Sequence, residues 1–378
     1  MPAGHHIMRT QDYLFPSRQT RREFLAAAGA AASSSILAGT AAARAEGASA
    51  RKDKPVIRLG SGYHTYELVE DWGRLPAGMT YGLGCGVIVD DADRVYVTSR
   101  STNPCVAIFD RKGKLLETWS TEFAQSVSRT TAQVKDTAHC LYWSREGREE
   151  FIYWTENIST NPAGPKVGAR VYKTDLRGKI LYEIGNVGRE GSTSQAFDWT
   201  NPTDVAVAPN GDIYVVDGYG SQRVSRFDKN FKHIKTIGGR GKDHGLFNTC
   251  HGVWIKLVKG REPEVYIADR HNDRIEIFSL ELEFKRSLNG DVRNPCCFYQ
   301  HKNHLFIPDL ASRVTILDAD DQLAAHLGDG KGATDKETNP ALFAAPHALA
   351  VDSRGDFYVV EWVGSGRPRK FRHTPQKV

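Results

Sequence analysis

Apolar and polar residues alternate in short bursts along most of this chain, and the bursts come in pairs around tight turns. The segment TDVAVAPNGDIYVVDGYGSQRVSRFD (203–228) shows the pattern most clearly. It reads as an alternating strand, a Pro-Asn-Gly-Asp turn, a second strand ending in an acid, a loop, and Arg-x-x-x-Phe on a third strand. Strict alternation on both sides of Asn-Gly predicts a hairpin, because hairpin turns need residues that tolerate positive φ while strands repeat every second residue.

The same pattern recurs. Units begin at Cys85, His139, Thr203, His251, Cys296 and His347, spaced by 54, 64, 48, 45 and 51 residues. Between them lie further strand-like pieces, KLLETWS, KILYEIG, HIKTIGG and LAAHLGD, which supply a fourth strand. Six four-stranded units at this period predict an all-β fold, a six-bladed β-propeller. The piece YHTYELVEDWG (63–73) precedes the first unit and has no unit of its own. It is expected to close the ring as the outermost strand of the last blade, which removes an open sheet edge. The propeller is placed at 61–378, with 46–60 as an exposed lead-in. No long stretch shows helical periodicity, which argues against a two-domain α/β chain.

The first 45 residues have a different character. Arg21–Arg22, Phe24–Leu25, an Ala-rich run and the small-x-small triplet Ala43-Arg44-Ala45 predict a twin-arginine signal peptide over 1–45. The chain is then expected to be exported already folded, to the periplasm or beyond. The Ala-rich run is too short and too weakly apolar to predict stable membrane insertion. Five arginines against Asp12 and Glu23 give this leader +3 of the chain's +5, leaving +2 for the rest. So small an excess does not point to nucleic acid. The six cysteines, 85, 105, 140, 250, 296 and 297, show no CxxC spacing, and a vicinal Cys296–Cys297 disulfide stays open.

Aligned units can be read by column. The first residue of the innermost strand is Cys85, His139, Thr203, His251, Cys296 and His347 in turn. Histidine therefore occupies the second, fourth and sixth blades, which places three imidazoles at threefold positions around one mouth of the channel. A lone histidine at a strand start is ordinarily a hydrogen-bonding residue; three at alternating blades make a metal site the stronger reading. Three imidazoles leave a coordination position open, as catalytic zinc requires. Cys85 and Cys296 are read as buried packing residues or as extra soft ligands that would favour copper or iron. The second strand returns to the same mouth, so Arg100, Asn157, Tyr219, Arg270, Leu310 and Trp362 join the histidines there. The acid before this position (Glu156, Asp217, Asp269, Asp309, Glu361) recurs too often to be catalytic and is read as a loop-fixing acceptor.

The unit pattern resembles NHL-repeat propellers. NPTDVAVAPNGDIYVVDGYGSQRV, FNTCHGVWI, YIADRHNDRIEIF and PHALAVDSRGDFYVVE are similar to the peptidyl-α-hydroxyglycine α-amidating lyase family, over essentially the whole chain after the leader. The resemblance implies zinc on His139, His251 and His347, with catalytic roles for Tyr219, Arg100 and Arg270. Two departures bear on this. Ala345 stands where the family has a methionine near the metal, and Ala348 where it has a calcium-binding aspartate, which argues against calcium.

The combined expectation is a metal-dependent lyase, with Tyr219 as base, its phenol lowered from about 10 by the metal and an arginine. Arg100 and Arg270 would hold a carboxylate or oxyanion, and Cys85, Thr203, Cys296, Asn157 and Trp362 would line the pocket. The chain is expected to be a monomer acting on a small-molecule, peptide-derived or carbohydrate substrate. The alternatives are a sugar-directed lyase or lactonase at the same site, with Trp143, Trp254 and Trp362 as sugar-facing aromatics, and a binding propeller without chemistry.

Overall fold

The computed structural model describes residues 55–160, 163, 166–185, 197–331 and 339–376. The expected leader at 1–45 and most of the lead-in lie outside the described residues. Six antiparallel sheets follow one another along the chain, five of four strands and one of five. The third blade is Asp204–Val207, Ile213–Val216, Arg223–Phe227 and His233–Gly238, with Asp204 opposite Val216 and Ile213 opposite Phe227. The hairpin read from the Asn-Gly pattern is thus present in register.

The last blade closes the ring as the sequence predicts. Tyr66–Val69 pairs with Arg369–His373, Tyr66 opposite His373 and Leu68 opposite Phe371. Arg58–Leu59 then adds a fifth strand outside it, with Arg58 opposite Glu67 and its Nε donating to Glu67 Oε1 at 2.9 Å. The sheet therefore begins inside the segment read as lead-in.

The apolar alternation serves two faces at once, because every blade packs on both neighbours. Six clusters of buried residues fill the six seams. Val205 and Ile213 meet Tyr153 and Val171 between the second and third blades, and Val265 and Ile267 meet Tyr214 and Val216 between the third and fourth. Tyr66, on the closing strand, packs in the seam between the fifth and sixth blades, 4.9 Å from Phe357 and 6.5 Å from Phe306 between ring centres. Tyr66→Ala is expected to cost about 3–5 kcal/mol, the range for removing a buried aromatic ring. Urea unfolding checks this as a lower midpoint at unchanged slope.

Two short helices missed by the sequence reading, Thr121–Ser126 and Thr131–Thr137, deliver the chain to His139. Thr130 caps the second, accepting from Gln133 N while the Gln133 side chain accepts from Thr130 N. No helix among the described residues is long and apolar enough to cross a membrane.

Candidate functional site

Each innermost strand starts at one mouth of the channel and runs to the other. His139, His251 and His347 stand near the starts of Ala138–Glu146, Cys250–Lys256 and Pro346–Val351. In all three strands the pairing slips across the histidine, between Ala138 and Leu141, Cys250 and Val253, and Pro346 and Ala348. Such bulges re-aim a side chain. Here the imidazoles converge: their ring centres are 4.9, 5.1 and 4.9 Å apart, and one nitrogen of each lies within 4.8 Å of the others.

The odd-numbered blades hold the rings in place through their backbone. His139 Nδ1 lies 2.5 Å from the carbonyl oxygen of Thr203, His251 Nδ1 2.9 Å from that of Cys296, and His347 Nδ1 2.8 Å from that of Cys85. A carbonyl only accepts, so each Nδ1 carries the proton and each Nε2 presents a lone pair. Gly252 makes this approach possible for His251. A Cβ there would sit 2.3 Å from the Cys296 oxygen. Gly252→Ala should therefore push the fifth blade away, costing about 1–3 kcal/mol as an overpacking change. It should also weaken any divalent-metal binding by the three imidazoles, read by titration beside thermal melting.

Burial, then neighbouring imidazoles and arginines, hold His139 and His251 well below the ordinary imidazole value. Burial and Arg270 bring His347 down to about 3. All three are neutral at ordinary pH. Nε2 of His139 and of His347 is buried without a hydrogen-bond partner, and Nε2 of His251 faces the Tyr219 hydroxyl at 3.1 Å. Buried lone pairs without a donor are costly unless an electrophile sits among them. Three neutral imidazoles with fixed tautomers fit a borderline divalent metal such as zinc.

The expected catalytic side chains gather over this centre. Gly218, where a Cβ would be 2.0 Å from the Cys250 carbonyl, lets the loop pass close enough to lay Tyr219 over His251. Tyr219 is 38% exposed, but its hydroxyl receives Arg270 Nη1 at 2.9 Å. Arg270 is buried, donates also to Cys296 Sγ at 3.3 Å, and keeps a buried Nε without a partner. Arg100 lies over the Trp362 ring at 5.0 Å and donates to Asn157 Oδ1 at 3.2 Å. Trp362 stacks on His347, 5.1 Å between ring centres. In the protein itself burial outweighs Arg270, so the Tyr219 phenol stands above its ordinary value, not below it. Lowering it needs positive charge at the histidines.

Other expectations change. Cys85 and Cys296 serve through their carbonyls; the Cys85 thiol faces the backbone oxygens of Leu83 and Ala138 at 3.2 and 3.4 Å. Thr203 likewise contributes its carbonyl, and its hydroxyl turns to the Val216 and Cys250 oxygens. Cys296 and Cys297 do not face each other: Cys297 Sγ lies 3.5 Å from Cys140 Sγ. Sequence reasoning passed over that pair, although both residues directly follow the histidine column. Trp143 and Trp254 line the opposite end of the channel. The recurring acids fix loops: Asp217 accepts from Thr200 N at 3.0 Å, Asp269 from Asn248 N at 2.7 Å, and Glu361 from Ala344 N at 2.7 Å. Glu156 instead meets Arg129 and Arg170.

The fold is a six-bladed β-propeller. A family model for the NHL repeat matches residues 200–227, the first three strands of the third blade with their lead-in. Along most of its length the chain is similar to NHL repeat-containing protein 3 of Mus musculus, 24% identical over 331 residues and 85% of each chain. It is also similar to a probable peptidyl-alpha-hydroxyglycine alpha-amidating lyase of Caenorhabditis elegans, 30% identical over 131 residues, 34% of each chain. Among solved structures, a gluconolactonase from Xanthomonas campestris has a TM-score of 0.54 at 12% identity, covering 86% of this chain and 99% of that one. That last likeness is one of fold.

Proposed function

We propose that this chain is a metal-dependent lyase that cleaves the C–N bond of an α-hydroxyglycine derivative, releasing an amide and glyoxylate. The observation that carries the reading is the trio of buried, neutral imidazoles whose Nδ1 atoms are held by three carbonyls and whose Nε2 atoms converge. The named similarity to an amidating lyase supports the choice of reaction.

His139, His251 and His347 would hold the metal, zinc in preference to copper or iron because no thiol joins the trio. When bound, it supplies a Lewis acid that acidifies a substrate hydroxyl. Tyr219 takes the hydroxyl proton, its phenolate held by the Arg270 guanidinium 2.9 Å away. The hydroxyl oxygen becomes the carbonyl of glyoxylate, and the C–N electrons pass to nitrogen, which receives the proton as the amide leaves. Arg100, braced by Asn157 and Trp362, binds the substrate carboxylate at the mouth. The carbohydrate alternative keeps only Trp362 of its three aromatics at this mouth. We place the protein outside the cytoplasm, exported folded through the twin-arginine signature at Arg21–Arg22.

The test is elemental analysis of protein purified through its export route, with a glyoxylate-release assay on an α-hydroxyglycine peptide. About one equivalent of zinc and release of glyoxylate are expected. Less than about 0.2 equivalent of any transition metal would leave a binding propeller as the reading. Metal without glyoxylate release would leave the centre and remove the substrate.

A further inference from the structure

A cavity of about 570 Å³ opens at the end of the channel opposite the histidine mouth. Tyr142, Trp143, Trp254 and Tyr299 form much of its wall, and Cys140 and Cys297 belong to its lining. These two residues come from the second and fifth blades, which face each other across the ring, and their sulfurs are 3.5 Å apart. They lie just beneath the metal site, each within 4.8 Å of a ring nitrogen of His347. The reaction proposed above uses neither thiol.

We propose that Cys140 and Cys297 are a redox pair, forming a disulfide across the channel axis when the folded protein meets a low-molecular-weight disulfide. The other four cysteines have different neighbours. Cys85, Cys105 and Cys250 face backbone carbonyls, and Cys296 faces Arg270. Closing from 3.5 Å to a sulfur–sulfur bond of about 2.0 Å takes a shift of about 1.5 Å, shared between two side chains. The cavity gives the reagent its path. Cys297 is 6% exposed and Cys140 2%, so Cys297 meets the reagent first.

The exchange balances in two steps. The Cys297 sulfur, losing its proton, attacks one sulfur of the reagent and expels the other as a thiol, leaving a mixed disulfide. The Cys140 sulfur, losing its proton, then attacks Cys297 Sγ and expels the second thiol. Two protein thiols are oxidised and one reagent disulfide is reduced to two thiols. The bond would join residues 157 apart in sequence. It would tie the strand that carries His139 to the segment whose Cys296 carbonyl holds His251, and close the channel beneath the metal site. The stiffness of that site would then depend on redox state.

The full-length protein, treated with oxidised glutathione or with dithiothreitol, is denatured in iodoacetamide, digested and mapped by mass spectrometry. The oxidised sample should yield one cross-linked pair joining Cys140 to Cys297, with the other four cysteines alkylated. Its melting temperature should exceed that of the reduced sample by at least about 4 °C. Cys140→Ser and Cys297→Ser should lose both the cross-link and the difference. If either variant fails to fold, the wild-type map decides alone. Full alkylation of both residues, a Cys296–Cys297 link, or a stable glutathione adduct on Cys297 would overturn the proposal, as would identical melting temperatures.

Discussion

Replacing His251 with alanine should empty the proposed metal centre while leaving the propeller folded. The imidazole does three things at once. Its Nε2 is one of the converging lone pairs, the same atom meets the Tyr219 hydroxyl at 3.1 Å, and its Nδ1–H satisfies the Cys296 carbonyl at 2.9 Å. Losing an outer partner of a ligand typically lowers metal affinity 10–100-fold. Losing the ligand itself should exceed the upper end of that range, so affinity should fall by at least about 100-fold. The fold loses less. The Cys296 carbonyl is left without its donor, a cost of about 1–3 kcal/mol, while the six seams between blades are untouched. Elemental analysis and chelator competition read the metal, and a melting curve reads the fold. His233→Ala, at an exposed ring on the outer strand of the third blade, should keep its metal. Wild-type metal content in His251→Ala would mean that any bound metal sits elsewhere.

Much of this site was legible before any coordinates, for a geometric reason. A propeller repeats one unit around an axis, so equivalent positions in the repeat become neighbours in space, and a column of the alignment is a ring in the molecule. His139, His251 and His347 were found in that way, and Arg100, Tyr219, Arg270 and Trp362 by the return of the second strand. What a column does not convey is depth. Trp143 and Trp254 lie four and three residues beyond their histidines, and a strand rises about 3.3 Å per residue. They therefore belong about 10–13 Å down the channel, and both line the cavity at its other end. Nor does a column say which atom of a residue faces the axis. Cys85 and Cys296 were weighed as thiols, yet their carbonyls hold His347 and His251. The bulges at the histidines decide such questions, and a one-residue slip leaves no mark on an alternating apolar pattern.

Tyr219→Phe should cost about 10²–10⁴-fold in turnover, the usual contribution of a positioned base, and leave metal content unchanged. The hydroxyl touches His251 without being needed to hold it, since the His251 ring is anchored through Nδ1. A purely structural role for Tyr219 would move stability or metal content instead of turnover. Its pH behaviour gives a second reading. A base must be deprotonated, so activity should rise with pH through the apparent pKa of this phenol. In the protein alone burial lifts that value and Arg270 opposes the rise. Arg270→Met removes the opposing cation, so the phenol should hold its proton to higher pH. The acid limb of the profile should move up by about 1–3 units, the shift an adjacent opposite charge gives a titrating group. In Tyr219→Phe that limb should vanish from whatever activity remains. An Arg270→Met profile with its acid limb unmoved would mean that the proton goes elsewhere, and Tyr219 would then be a lid on the metal centre with no part in the proton transfer.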